Sequence, residues 1–166
     1  HSLATVIWHK IANAVFEVEN GTSFLGKPYE PNAVIKNDIE FILMQRKPGG
    51  YRRPSEAMRL LSVIGAQSHR AWFNQIVTVH GASTRSHPAP YPLELIEPMV
   101  RMFSFAGDTI LDPFSGTATT SIAAARSGRN SIGIEIEPSY HKLSFQRLKD
   151  TIRREKIAAT IAEAIL

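Results

Sequence analysis

The feature that most constrains the fold is an alternation of strand-like and helical segments in the second half of the chain. Residues Thr109 to Phe114 form a short apolar run typical of buried strands, and Ser115-Gly116 leads into a small-residue helix over Thr117 to Arg126. Asn130 to Glu135 is strand-like again, and Pro138 begins a long helix that we expect to continue to the C terminus. Strand, helix, strand and helix with short connections are typical of a parallel βαβ unit with a right-handed crossover. The sequence therefore predicts an α/β fold.

The first half of the chain predicts an antiparallel hairpin with a long loop. Residues 4–10 and Ile39 to Arg46 are rich in β-branched, aromatic and other apolar residues, which favour strands. The stretch from about Asn20 to Asn37 is polar and carries glycine and proline, so we predict that it is mostly loop. Residues 75–79 are strand-like as well.

Two more helices are predicted from the spacing of apolar residues. The first starts at Arg53-Pro54-Ser55 and stops at Gly65. Its apolar positions are Ala57, Met58, Leu60, Leu61 and Ile64. The second is opened by Pro92, and we expect one face of it to carry Leu93, Ile96, Met99, Val100 and Phe103.

The composition excludes several classes of protein. The chain has 166 residues, of which 43% are hydrophobic and 20% charged, which suits one folded domain and argues against wholesale disorder. It contains no cysteine, which excludes disulfides and Cys-based metal sites. No apolar run approaches the roughly 20 residues that a membrane span needs, and no signal peptide follows His1. We therefore expect a cytoplasmic protein without a membrane partner.

The charge is modestly positive. A formal net charge of +4 permits a nucleic-acid partner without indicating one. A basic cluster near the end of the chain comprises Arg147, Lys149, Arg153, Arg154 and Lys156. Because Asp150 and Glu155 are interleaved with these residues, we interpret the cluster as a solvated helix face.

The turn at Asp112-Pro-Phe-Ser-Gly-Thr-Ala-Thr-Thr120 is the most informative place in the sequence. Small residues let a ligand approach the backbone, and a helix N-terminus offers free N–H groups. Glu135 follows Gly116 by 19 positions at the end of the next strand, where a carboxylate can accept hydrogen bonds from ribose hydroxyls. The alternative is that Gly116 and Ala118 only permit tight packing and that Glu135 is a solvated strand end.

The sequence also limits the kind of nucleoside. Neither a Gly-x-Gly-x-x-Gly fingerprint nor a Walker phosphate loop is present. A turn with few glycines and no Lys or Arg suits a ligand without phosphates, such as S-adenosylmethionine.

These residues carry a resemblance. The Asp112–Thr120 motif resembles the cofactor-binding motif of the amino-group DNA methyltransferases, which make N6-methyladenine or N4-methylcytosine. Ala118 stands where that family usually has its second glycine. The run Arg129-Asn-Ser-Ile-Gly-Ile-Glu-Ile-Glu-Pro-Ser-Tyr140 is similar to the family's next strand and helix. His87-Pro-Ala-Pro-Tyr-Pro-Leu-Glu94 resembles the segment that closes over the methionine end of the cofactor.

The resemblance covers residues 87–148 and implies S-adenosyl-L-methionine as cofactor, DNA as partner and a role in restriction-modification. The implied cofactor-binding residues are His87, Pro88, Ala89, Tyr91, Asp112, Pro113, Phe114, Ser115, Gly116, Thr117, Ala118, Thr119 and Glu135. No metal site is expected, because no second ligand stands at a suitable spacing beside His87.

The motif that positions the target amine is absent. In the permuted class that this chain resembles, an Asp/Asn/Ser-Pro-Pro-aromatic motif precedes the cofactor loop and accepts hydrogen bonds from the target amino group. No Pro-Pro dipeptide occurs in the 166 residues, so no catalytic residue is assigned. Trp8 is similar to an aromatic that stacks on the extruded base, and the alternative is a core tryptophan. Residues from about 11 to 85 stand in the place of the target-recognition region, and about 86–150 form the cofactor-binding part.

We therefore predict a single partial methyltransferase domain over residues 1–166, with a Rossmann-like sheet lacking the strands that carry the catalytic motif. The activity expected is methylation of an exocyclic amino group of adenine or cytosine as part of a larger enzyme. The isolated chain is expected to be inactive and to associate with an absent N-terminal half, a complementary subunit or itself. One alternative is a non-catalytic methyltransferase-like module that binds DNA or a partner. Another is a nicotinamide-dependent oxidoreductase.

Overall fold

A computed structural model describes residues 2–10, 38–83 and 90–164 of the chain. They divide into two compact units, the first built from residues up to Tyr51 with Gln67–Ala82, and the second from Arg52–Ala66 with the residues after Ala82. The elements are β1 (Ser2–His9), β2 (Ile39–Gln45), α1 (Glu56–Leu61), α2 (Ala66–Trp72), β3 (Ile76–Thr78), α3 (Leu93–Phe103), β4 (Thr109–Asp112), α4 (Thr119–Arg126), β5 (Asn130–Gly133) and α5 (Pro138–Glu155). The protein is therefore an α/β protein, as predicted.

The first unit contains a mixed three-stranded sheet in the order β2-β1-β3. β1 pairs with β2 antiparallel, which confirms the predicted pairing, and it pairs with β3 parallel. Val6 and Trp8 are buried on the same face of β1, because side chains alternate along a strand. The loop predicted over Asn20 to Asn37 lies outside the described residues.

The second unit contains the predicted βαβ arrangement. β4 and β5 pair parallel, with Thr109 opposite Asn130 and Asp112 opposite Gly133. α4 connects them, and its side chains Ile122, Ala123 and Ala124 are buried. Because parallel strands end at the same edge of a sheet, the residues that follow Asp112 and those that follow Gly133 come together.

Several elements differ from the sequence prediction in length. β4 ends at Asp112 and β5 at Gly133, so Pro113 and Glu135 stand in loops. α5 ends at Glu155, since Lys156 adopts a left-handed conformation with φ of 55°, and no helix continues to the C terminus within the described residues. α2 was missed altogether. It has no buried side chain, and its sequence Ala-Gln-Ser-His-Arg-Ala-Trp carries only one large apolar residue, so no apolar period marks it.

Burial also differs from the prediction. The strand at residues 109–112, whose apolar run is typical of buried strands, is largely exposed at Leu111 (61%), and Ile132 on the neighbouring strand is 54% exposed. α1 ends at Leu61, short of Ile64, and has no buried residue. In α3 the buried side chains are Leu95 and Val100, whereas Phe103 is exposed. A hydrophobic period predicts which face is apolar, but burial needs a partner for that face.

Among the described residues, no helix is both long and apolar enough to cross a lipid bilayer.

Candidate functional site

The side chain of Asp112, the last residue of β4, is held from two sides. Its Oδ2 accepts a hydrogen bond from the Tyr91 hydroxyl at 2.8 Å, and its Oδ1 accepts one from the Phe114 backbone N–H at 3.1 Å. The Tyr91 oxygen also lies 2.8 Å from the Thr120 hydroxyl oxygen in the first turn of α4. One phenol thus ties the segment before α3 to both ends of the turn between β4 and α4.

Burial of Tyr91 raises the pKa of its hydroxyl to about 12, and the neighbouring Asp112 carboxylate contributes in the same direction. The hydrogen bond with Thr120 acts in the opposite direction. Tyr91 is therefore protonated at neutral pH and donates to Asp112.

Ser115 rests directly on the end of β5. Its backbone N–H and its hydroxyl both donate to the Ile134 carbonyl, at 2.9 Å and 3.1 Å. A Cβ placed on Gly133 would lie 3.0 Å from the Ser115 Cβ, closer than most such contacts in proteins, so Ser115 would have to move by a few tenths of an ångström. The absence of a side chain at Gly133 therefore allows Ser115 to approach β5 closely.

The two residues singled out by their spacing, Gly116 and Glu135, are in contact. Gly116 has a φ of 48°, and its N–H donates to Glu135 Oε2 at 2.7 Å. The other carboxylate oxygen accepts from the Glu137 N–H at 2.9 Å. Because each carboxylate oxygen can accept two hydrogen bonds, Glu135 keeps capacity for a further donor.

Two apolar side chains flank this contact and are exposed. Phe114, from the predicted motif, is 85% exposed, and Ile136, next to Glu135, is 96% exposed. Sequence reasoning did not single out Ile136. The sequence feature that could have indicated Ile136 is its position directly after Glu135, just beyond the end of β5.

The turn closes at Ala118, which has φ 64° and ψ 30° and is buried. Its N–H donates to the Ser115 carbonyl at 2.8 Å. Arg147 Nη1, from α5, donates to the Thr117 carbonyl at 2.8 Å, to the Thr117 hydroxyl at 3.0 Å and to the Thr119 hydroxyl at 3.1 Å. The Arg147 side chain therefore contacts the residues on both sides of Ala118.

The prediction that the basic cluster is a solvated helix face is wrong for Arg147. Its guanidinium is half-buried, and this burial, followed by the charge of Arg126, lowers its pKa. Arg147 stands three residues after Ser144 and four before Thr151, both buried, and such spacings lie on one helix face. This row of polar residues at helical spacing is the sequence feature that could have indicated the inward position of Arg147. The remaining members of the cluster, Lys149, Arg153, Arg154 and Lys156, are exposed as predicted.

The remaining predicted residues are His87, Pro88, Ala89 and Trp8. His87, Pro88 and Ala89 are outside the described residues. Trp8 lies in the first unit, is 3% exposed, and donates its indole N–H to the Val79 carbonyl at 2.9 Å. These features fit the alternative of a core tryptophan, and stacking on a base would require the ring to become accessible. Over residues 2–10, 38–83 and 90–164, no group of three or more His, Asp or Glu side chains could hold a metal ion.

A model of the DNA methylase family matches residues 3–146. The chain belongs to the DNA methylase family. Type II methyltransferase M.MthZI of Methanothermobacter thermautotrophicus is 34% identical over 163 residues, which cover 91% of this chain and 44% of that protein. Type II methyltransferase M.MjaI of Methanocaldococcus jannaschii is 37% identical over 146 residues, covering 83% of this chain and 46% of that protein. This family member thus spans about half the length of the curated relatives it matches.

A solved structure is similar to this DNA methylase family member as well. The "putative DNA modification methylase" of Thermus thermophilus, complexed with S-adenosyl-L-methionine, has a TM-score of 0.72 and 45% sequence identity. The match covers 92% of this chain and 54% of that chain. The resemblance carried by the sequence motifs is therefore confirmed at the level of the family.

Proposed function

We propose that this chain carries the S-adenosyl-L-methionine-binding part of a DNA amino-methyltransferase. The observation that carries the proposal is the hydrogen bond from Gly116 N–H to Glu135, at the edge where two parallel strands end. Nucleosides bind at this edge of α/β sheets, with an acidic side chain on the ribose hydroxyls. The reaction of the whole enzyme would be methylation of the exocyclic amino group of adenine or cytosine in DNA.

The residues at the turn suit this cofactor. Glu135 keeps acceptor capacity for ribose hydroxyls, and the exposed side chains of Phe114 and Ile136 offer apolar surface to a purine ring. Gly133 allows the close approach of Ser115 to β5, which keeps the turn compact. Segment His87–Ala89 would act at the methionine end, as the resemblance implies. The bound cofactor would supply an activated methyl group.

We also propose that two parts of the chain have different functions and that another polypeptide completes the sheet. The cofactor-binding part would occupy about residues 86–150, and about 11–85 would serve target recognition. The sheet of β4 and β5 would be an incomplete Rossmann-like sheet. Leu111 and Ile132 on it are largely exposed, so the elements that complete the sheet, further strands and the helices packed on them, would bury apolar surface there. A complementary polypeptide bearing the Pro-Pro-aromatic motif would supply those strands and the acceptor for the target amine.

Titration calorimetry with S-adenosyl-L-methionine tests the proposal. We expect the wild-type chain to bind and Glu135→Gln to weaken binding by about tenfold, because the amide keeps the shape but loses charge and one acceptor. Glu56→Gln, an exposed glutamate at the start of α1, is the matched control and should change affinity by less than about twofold.

Two results would contradict the proposal. One is a wild-type chain that does not bind S-adenosyl-L-methionine. The other is a chain that binds NADH more tightly in the same experiment, which would favour the nicotinamide alternative.

A further inference from the structure

Ala118 holds a backbone conformation that suits glycine. Its φ of 64° and ψ of 30° lie in the left-handed region, where a Cβ is crowded by the neighbouring carbonyl. It is also the N-cap of α4 and makes no side-chain capping hydrogen bond there. A strained residue of this kind persists only where its surroundings fix it.

Arg147 in α5, distant in sequence, makes contacts that can fix the conformation of Ala118. Its Nη1 reaches the residue before Ala118, through the Thr117 carbonyl and hydroxyl, and the residue after it, through the Thr119 hydroxyl. Thr119 is buried, and Arg147 is half-buried, so these hydrogen bonds are partly shielded from water. They span 28 to 30 residues of sequence and join α5 to the start of α4.

The same turn contains the N–H that reaches Glu135. Gly116 stands two residues before Ala118, and the Ala118 N–H bonds the Ser115 carbonyl, so the turn is one hydrogen-bonded unit. The Ser115 carbonyl and the Gly116 N–H belong to the same peptide unit, so a change at Ala118 that breaks its hydrogen bond to this carbonyl would free the Gly116 N–H to turn away from the carboxylate. The orientation of the Gly116 N–H thus depends on the conformation at Ala118.

We infer that Arg147 is a positioning residue that holds the Ser115–Ala118 turn in its binding conformation, compensating for an alanine at a left-handed position. The inference rests on the proposed function in one respect, that the turn binds S-adenosyl-L-methionine. When only a fraction of molecules hold the binding conformation, the apparent dissociation constant rises by the inverse of that fraction. Arg147 would therefore act on affinity without touching the ligand.

The first experiment follows amide hydrogen exchange in the ligand-free chain. In Arg147→Met we expect Gly116, Ala118 and Thr119 to exchange at least about fivefold faster, while the amides of β4 and β5 keep their rates, because only the turn is released. Arg153→Met, an exposed arginine on the same helix, is the matched control and should leave the turn unchanged. Equal acceleration of turn and strands would overturn the inference, since it would mean an ordinary stability contact. Unchanged exchange in the turn would also overturn it.

The second experiment measures S-adenosyl-L-methionine binding with a rescue. Arg147→Met should raise the dissociation constant about tenfold, corresponding to a turn that is competent about a tenth of the time. In an Ala118→Gly background the same substitution should raise it less than about threefold, because glycine adopts the left-handed conformation without help. An effect of equal size in both backgrounds would contradict the inference. If the wild-type chain does not bind at all, the proposed function fails, and the exchange experiment alone decides the role of Arg147.

Discussion

At the scale of single residues, Tyr91 shows how one hydroxyl can organise a site. It donates to the Asp112 carboxylate and lies within hydrogen-bond distance of the Thr120 hydroxyl. A hydrogen bond to a charged acceptor contributes about 1.5–3 kcal/mol, more than one between neutral groups. Tyr91 is only partly buried, so its contribution lies towards the lower end of that range.

We predict that Tyr91→Phe lowers the free energy of unfolding of the second unit by about 1–2 kcal/mol, because Asp112 loses its phenol donor. The measurement is urea unfolding followed by far-UV circular dichroism, since the long helices α3 and α5 belong to this unit. Tyr51→Phe, at an 85% exposed tyrosine, should change stability by less than about 0.5 kcal/mol.

A comparison of the wild-type protein with Tyr91→Phe also tests the raised pKa of the Tyr91 hydroxyl. The folded-state pKa of Tyr91 is about 12 against an ordinary value of 10.0, so its stabilisation is fully present below pH 10 and is lost as the pH rises towards 12. The stability difference between wild type and Tyr91→Phe should therefore shrink over that interval. A difference that stays constant up to pH 12 would contradict the assignment.

At the scale of elements, the site depends on how closely a turn approaches a strand. Ser115 donates twice to the Ile134 carbonyl, and the approach is possible because Gly133 has no side chain. Elsewhere in the unit, Arg126 near the end of α4 pairs with Glu155 at the end of α5, through contacts of 2.8 Å and 2.5 Å. This ion pair, together with a hydrogen bond from Arg154, lowers the pKa of Glu155 to about 2. The two helices are thus linked at the start of α4 by Arg147 and at its end by Arg126.

We predict that Gly133→Ala destabilises the second unit by about 1–3 kcal/mol, because the new Cβ would lie 3.0 Å from the Ser115 Cβ and force the turn away from β5. S-adenosyl-L-methionine binding should weaken in parallel. Urea unfolding and calorimetric titration measure the two effects. Gly50→Ala, where a Cβ meets no atom within 4 Å, is the control and should be close to neutral. A Gly133→Ala protein with wild-type stability would show that the turn can move freely.

At the scale of the whole molecule, we expect this chain to bind the cofactor without catalysing methyl transfer. The proposed binding edge is assembled from β4, β5 and the turns that follow them, whereas the Pro-Pro-aromatic motif is absent from the 166 residues. An exocyclic amine is a weak nucleophile and needs positioned acceptors to direct its lone pair at the methyl group. Cofactor binding without methyl transfer is the expected behaviour of the isolated chain.

We predict that the purified 166-residue chain transfers no methyl group to DNA from S-adenosyl-L-methionine labelled with tritium in the methyl group. The same preparation should bind the cofactor by calorimetry, which shows that the protein is folded. Adding a complementary polypeptide that carries the catalytic motif should restore incorporation. Label in DNA with the chain alone would contradict the prediction.

The sequence by itself determined the βαβ unit and the turn within it. The periods of strands and helices are local, so β4, α4 and β5 could be predicted from their own residues. Because parallel strands end at the same edge of a sheet, this prediction also placed Gly116 and Glu135 close together. It could not determine burial, because an apolar side chain such as Leu111 becomes buried only where another surface covers it.

Only the tertiary structure decided what holds the turn. The contact of Arg147 with Thr117 joins residues 30 positions apart, and that of Tyr91 with Asp112 joins residues 21 apart. No local pattern encodes such pairs, because they depend on where α3 and α5 pack against the βαβ unit. The left-handed conformation of Ala118 likewise arises there, since an isolated alanine disfavours it and only the packed surroundings make it stable.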